Sequence, residues 1–211
     1  MFRNLYNLLY AYYGNLKWWP SETDDETVIG CILTQNTSWK NVEKAIEKMK
    51  SEHIDTLIEI TRTDNEKLKD LIRSSGFYNQ KSRYLSAVAR AIIEKYGSLE
   101  NMKNQNHEEV ASFISGLPGV GNETMESIML YALDYPVFVV DAYTFRFLKR
   151  YYGKDFSRKE IRAHAEEEFH GIDELKNFHG MIINLGKDFC KKTPVCKSCF
   201  LKSNCLYGKN Q

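Results

Sequence analysis

Two groups of residues have the types and spacing to do chemistry. The first is Leu117-Pro118-Gly119-Val120-Gly121, followed by an amphipathic run over 122–133 and then by Val139-Val140-Asp141. Two glycines flanking a valine, just after a proline, can turn tightly enough to bring backbone amides against a ligand. The helix that follows would open with unpaired amides and the positive end of its dipole, a favourable place for an anion. The pattern predicts a phosphate-gripping hairpin between two helices, with an acid after an apolar run further on. Asp141 reads as the N-cap of a helix through Phe145 and Phe147, or as a carboxylate placed for chemistry. The two roles are compatible.

The second group is the set Cys190, Cys196, Cys199 and Cys205, spaced C-x5-C-x2-C-x5-C. Four thiolates this close can enclose one soft metal centre, either an iron–sulfur cluster or zinc. Zinc sites more often pair two C-x-x-C units, and only one is present here. Disulfides suit secreted scaffolds, which this chain does not otherwise resemble in composition. The fifth cysteine, Cys31, lies in an apolar run and reads as a small buried hydrophobe.

The elements that must position these residues read as nearly all helix. Leu5, Leu8, Leu9 and Tyr12 recur at helical spacing before Gly14. Thr23-Asp24-Asp25-Glu26 has the form of a capping box ahead of Val28, Ile29, Ile32 and Leu33. Further helical patterns cover 42–49, 68–72, 84–93 and 110–114, then 145–152, 161–169 and 175–185 beyond Asp141. Gly76, Gly97, Gly116 and Gly153 punctuate them. No period-2 strand pattern, tandem repeat or low-complexity linker is present.

Composition sets the outer bounds. A chain of 211 residues with 43% hydrophobic and 27% charged residues can bury a substantial core as an ordinary globular protein. No apolar run reaches membrane-spanning length, and the first residues lack a secretory signal pattern, so a cytoplasmic or nucleoid location is expected. The formal net charge is only +1. Any nucleic-acid site must therefore rest on backbone amides or a local patch. Basic residues cluster at Lys149, Arg150, Lys154, Arg158, Lys159 and Arg162, and again at Lys191, Lys192, Lys197 and Lys202. Solvated helix faces would look the same.

Together the hairpin, the downstream acid and the cysteine tail resemble the helix-hairpin-helix DNA glycosylases. The resemblance is to the endonuclease III-like branch with a C-terminal iron–sulfur loop, and it covers nearly the whole chain. Leu33-Thr34-Gln35-Asn36-Thr37 falls at that family's early DNA-contacting loop, and Gly76-Phe77-Tyr78-Asn79-Gln80-Lys81 matches its Gly-aromatic-Tyr-Asn-x-Lys segment. The resemblance implies an all-α fold of two interlocked helical domains, with the active site in the cleft between them. One domain, at 20–135, would carry the helix-hairpin-helix. The other, at 1–19 and 136–211, would carry the cluster loop. It implies Asp141 as catalytic aspartate and Cys190, Cys196, Cys199 and Cys205 as ligands of a [4Fe–4S] cluster. The first cysteine spacing is one residue shorter than the family's usual one. The partner implied is double-stranded DNA containing a damaged base, bound by a monomer with no membrane role.

One departure bears on the chemistry. Bifunctional members of the family place a lysine two residues past the second hairpin glycine, where its amine forms a Schiff base with the sugar. Here that position is Glu123, which cannot form an imine. A monofunctional enzyme using water is the expectation, although Glu123 could simply favour the helix start. Trp18-Trp19-Pro20 and the Trp39 that follows Thr-Gln-Asn-Thr resemble the 3-methyladenine glycosylase branch. That likeness implies Trp18 and Trp39 as stacking faces, Pro20 as a wall and Glu123 at the rim of a base pocket. Edge-of-core packing is the plainer account of the tryptophans. Indole faces attract the cationic N3- or N7-alkylpurine nucleoside by about 0.5–2 kcal/mol.

The remaining roles follow from DNA distortion. Gln35 or Asn36 could fill the gap left by a flipped nucleotide, or could merely cap a surface loop. Gly119, Val120 and Gly121 would hold a phosphate through backbone amides, with Lys191, Lys192 and Lys197 adding phosphate contacts. Three alternatives stand beside this reading: a glycosylase for oxidised or mismatched bases, a non-catalytic damaged-DNA-binding module, and a lyase using Lys187.

Overall fold

The computed structural model describes residues 1–211 and is built from thirteen α-helices with no strand. The chain divides into two compact units, one of residues 21–135 and one of residues 1–20 with 136–211. The helices of the first are α2 (Asp24–Leu33), α3 (Trp39–Ser51), α4 (Leu57–Arg62), α5 (Asn65–Leu71), α6 (Tyr78–Tyr96), α7 (Leu99–Lys103), α8 (His107–Ser115) and α9 (Asn122–Ser127). The second holds α1 (Phe2–Tyr13), α10 (Ala142–Tyr152), α11 (Arg158–Glu168), α12 (Ile172–Asp188) and α13 (Leu206–Lys209). No helix is long and apolar enough to cross a membrane.

In the central unit, α2 is the core helix. Val28 to Leu33 are buried without a break, as expected of a helix that is apolar all round and covered on every side. Thr23 caps it by accepting from the Glu26 amide. The capping box expected there is only half formed, because the Glu26 carboxylate turns to the Glu22 amide and to Lys50. The full reciprocal box is at Ser157 and Glu160, at the start of α11. The helix expected over 122–133 is α-helical only through Ser127. Residues Ile128–Ala132 form a π-helical turn in which the Leu133 amide bonds the Ile128 carbonyl. Residues 128–133 are all buried, so this stretch, like α2, is covered on every side.

In the terminal unit, the core is aromatic. Phe2, Tyr6, Phe169 and Phe178 pack around one another with ring centroids 5.1–5.9 Å apart. The Phe138 ring stacks on Phe178 at 5.3 Å, and the Phe138 amide donates to Glu166 Oε1 at 3.0 Å. The extended segment at 136–140 is thereby seated against α11 and α12, which fixes where α10 begins. α4, α7 and α13 are too short for a periodic signal in the sequence.

Candidate active site and nucleic-acid interface

Asp141 is the N-cap of α10. Its Oδ1 accepts from the Thr144 amide at 2.7 Å and from the Thr144 hydroxyl at 2.8 Å, and only 5% of the residue is exposed. Its Oδ2 lies 3.6 Å from Nε2 of His179 on α12, itself buried. Burial alone would push the carboxyl upward. The His179 side chain and the two Thr144 bonds outweigh that and hold Asp141 below the ordinary carboxylate range. The acid is thus buried, ionised and oriented. The bonds that start the helix occupy Oδ1 and leave Oδ2 facing His179. His179 was not singled out in the sequence. Its signal is its register: it follows Leu175 by four residues and precedes Ile182 by three, a polar side chain within a buried stripe.

The hairpin joins α8 to α9. The Val120 amide closes a turn on the Leu117 carbonyl at 3.2 Å, and Gly119 has φ +78°. A Cβ on Gly119 would come within 2.1 Å of the Tyr84 ring, so this glycine is demanded by both backbone and packing. Val120 tucks inward. Gly121 differs: it is exposed, its φ of −91° suits any residue, and nothing lies within 4 Å of its missing Cβ. The fold does not need glycine there. Glu123 sits exposed in the first turn of α9.

Gln35 and Asn36 separate in role. Nε2 of Gln35 donates to the Gly119 carbonyl at 3.0 Å and to the Thr124 hydroxyl at 3.2 Å, tying its loop to the hairpin. Asn36 is exposed in a left-handed conformation with φ 54°. Another exposed position in the same unit is Phe77, 64% exposed and also left-handed at φ 46°. Holding a phenylalanine bare and strained is costly for stability alone. The sequence showed it only as part of a motif.

Trp18 lies on α12. A Cβ on Gly180 would fall 2.6 Å from the indole Cγ, and Lys187 Nζ sits 5.0 Å from the ring centroid. Trp18 and Trp39, the first residue of α3, are both half-buried, whereas Pro20 is exposed. These placements lie between loop display and edge-of-core packing.

All four tail cysteines line one small cavity walled by Phe147, Leu185, Phe189, Pro194 and Leu201. Arg150 on α10 braces it: its guanidinium donates to Cys190 Sγ at 3.4 Å and to the Lys191 and Lys192 carbonyls. The Gly208 amide donates to Cys205 Sγ at 3.4 Å. No trio of His, Cys, Asp or Glu side chains forms a group that could hold a single metal ion. The Lys191, Lys192 and Lys197 side chains are exposed. Cys31 is buried within α2, and burial pushes its thiol well up, as befits an inert core residue.

This hairpin, buried acid and all-helical frame have counterparts among known proteins. The chain belongs to the HhH-GPD superfamily of base excision DNA repair proteins, whose family model matches residues 29–170. Within that superfamily it is a DNA glycosylase of base excision repair. A relative from Methanocaldococcus jannaschii placed among DNA repair glycosylases is 42% identical over 98% of this chain and 96% of its own length. Endonuclease III of Thermotoga maritima is 31% identical over 90% of this chain and 86% of its own. The H. pylori 3-methyladenine DNA glycosylase, solved with 1,N6-ethenoadenine, superposes with a TM-score of 0.76 at 28% identity, covering 87% of this chain and 96% of that one.

Proposed function

We propose that the protein is a monofunctional glycosylase that releases alkylated purines of the 3-methyladenine type from duplex DNA. The observation that carries this reading is the pair of acids at the two helix starts. Glu123 stands where a strand-cutting relative needs an amine, while Asp141 is buried and held ionised. The bond broken is the N-glycosidic bond at C1′, and the departing base takes its electron pair. An N3- or N7-alkylpurine leaves as a neutral molecule, so little help from a general acid is needed. Asp141 stabilises the oxocarbenium-like sugar and receives a proton from the water that adds to C1′. The Thr144 bonds and His179 fix the direction of its free oxygen.

On the resemblance alone, Trp18 and Trp39 are each offered as a stacking face for a base, and Pro20 and Glu123 as further base contacts. Gly119 and Gly121 dock a phosphate through their backbone amides, whereas the Val120 amide expected beside them is spent on the Leu117 carbonyl, and Lys191, Lys192 and Lys197 add salt-dependent phosphate contacts. Gln35 holds its loop on the hairpin, leaving Asn36 and Phe77 as the exposed groups able to enter a distorted stack. Cys190, Cys196, Cys199 and Cys205 suit a [4Fe–4S] cluster, since their four sulfurs line one small cavity with apolar walls. When bound, such a cluster supplies a rigid thiolate-held template for the loop, and hydrolysis asks no electron of it.

The test is a panel of duplexes carrying 3-methyladenine, 7-methylguanine, ethenoadenine, oxidised pyrimidines and mismatched thymine, with base release and strand cleavage scored separately. Release of alkylpurines with uncut strands and no borohydride-trapped adduct is expected. Release of oxidised or mismatched bases, or a trapped adduct, overturns the reading. The likeness to the ethenoadenine-bound glycosylase supports the alkylpurine arm, and the likeness to endonuclease III is why the other lesions belong in the panel.

A further inference from the structure

Lys81 is a fully buried cation with no carboxylate partner. Only 2% of it is exposed, and it stands in register with Leu85, Val88, Ala89 and Ile92 on the buried stripe of α6. Burial draws its amine down to about 8. A leucine or methionine would fill that position without the cost of desolvating a charge. What the lysine adds is two hydrogen bonds, both of 2.7 Å, from Nζ to the Leu33 carbonyl and to the Ser75 carbonyl.

Those carbonyls lie at two special places. Leu33 is the last residue of α2, at the negative end of its dipole, and opens the loop that carries Gln35 and the left-handed Asn36. Ser75 ends the 3-10 turn Arg73–Ser75, immediately before Gly76 and the exposed, left-handed Phe77. The same helix extends this support to the hairpin, since Tyr84, one turn further along, packs under Gly119. A single ammonium therefore joins two loops whose non-glycine backbones are both held in a strained conformation. Such conformations persist only where the surroundings over-determine them.

We propose that Lys81 is a positioning residue for DNA engagement, clamping the loop of Gln35 and Asn36 to the loop of Phe77 so that both are preset for a distorted duplex. This rests on the glycosylase reading above. Lys81 touches neither DNA nor the reacting atoms, so its effect belongs to docking rather than to bond cleavage.

The test compares wild type, Lys81→Met and Lys81→Gln on a duplex bearing a tetrahydrofuran abasic analogue, with amide hydrogen exchange and single-turnover base release measured alongside. Cooperative melting with unchanged helicity is expected, with the duplex Kd raised about tenfold or more in Lys81→Met. Faster exchange should be confined to residues 34–37 and 75–78, with release at saturating enzyme within about twofold of wild type. Partial recovery of affinity in Lys81→Gln, which restores one donor, supports the clamp. Methionine-variant binding equal to wild type overturns it, and so does loss of the cooperative fold in both variants, which would make Lys81 a requirement of the core. Wild type failing to bind the duplex would instead sink the glycosylase reading on which the clamp rests.

Discussion

The N-termini of α9 and α10 each carry an acid within reach of unpaired amides, yet the two acids are built differently. Asp141 is sealed in, with one oxygen occupied by Thr144 and the other facing His179. Glu123 stands exposed in the first turn after the hairpin. A helix start by itself therefore says little about an acid's role, because the dipole favours both. The difference is the surrounding shell: a desolvated carboxylate kept ionised by fixed donors is electrostatically strong, whereas an exposed one is screened by water.

That contrast can be broken most directly at Asp141. Asp141→Asn keeps an Oδ1 acceptor for the helix start, so folding and abasic-duplex binding should persist, while single-turnover base release falls about 10³-fold. A rate near wild type would remove the acid from the chemistry. Substituting Glu123→Lys is expected to create a borohydride-trappable adduct on abasic duplex where wild type gives none, because the amine then sits at the start of α9. No adduct would mean that the α9 start lies away from the sugar.

His179→Leu should slow release by about tenfold at neutral pH. It also removes a group that holds the Asp141 carboxyl down, leaving burial to push it up. Under the proposed mechanism it is the ionised acid that acts, so the acid limb of the single-turnover pH profile should move to higher pH. The linked stability has the sign of a depressed carboxylate: it is present above the unfolded value near 3.8 and lost as pH falls through the lower folded value. His179→Gln, which keeps a donor, should restore part of both, and an unmoved limb argues against the pairing. The smallest effect is expected from Glu123→Gln, with release within about threefold of wild type and stability changed by roughly 0.5 kcal/mol, read by excision kinetics and denaturant melts.

The parts legible in the sequence were those whose meaning is local. Gly119 announced its turn because it stands in Pro118-Gly119-Val120-Gly121, and Asp141 announced a helix start because a helical pattern through Phe145 and Phe147 follows it. The cysteine spacing likewise marked one cavity. What stayed hidden depends on partners distant in the chain. His179 is 38 positions from Asp141, and Lys81 reaches a carbonyl 48 positions back. Each left only a faint trace, a polar residue standing in the register of a buried helical stripe. Phe77 could not be told from a core aromatic, since its type and spacing are compatible with either environment. The π-helical turn at Ile128–Ala132 had no breaker residue to betray it.

Gly180 offers a last consequence, in evolutionary rather than energetic terms. The Trp18 indole occupies the space where a Cβ at 180 would go, just as the Tyr143 ring occupies that of Gly186 two turns further along α12. A side chain can appear at 180 only if the ring at 18 shrinks or moves, and the ring can keep its seat only while 180 stays bare. The two sites are thus locked as one heritable unit spread across 162 residues of chain. Any lineage that changes the side chain at position 18 is expected to record the change on α12 as well.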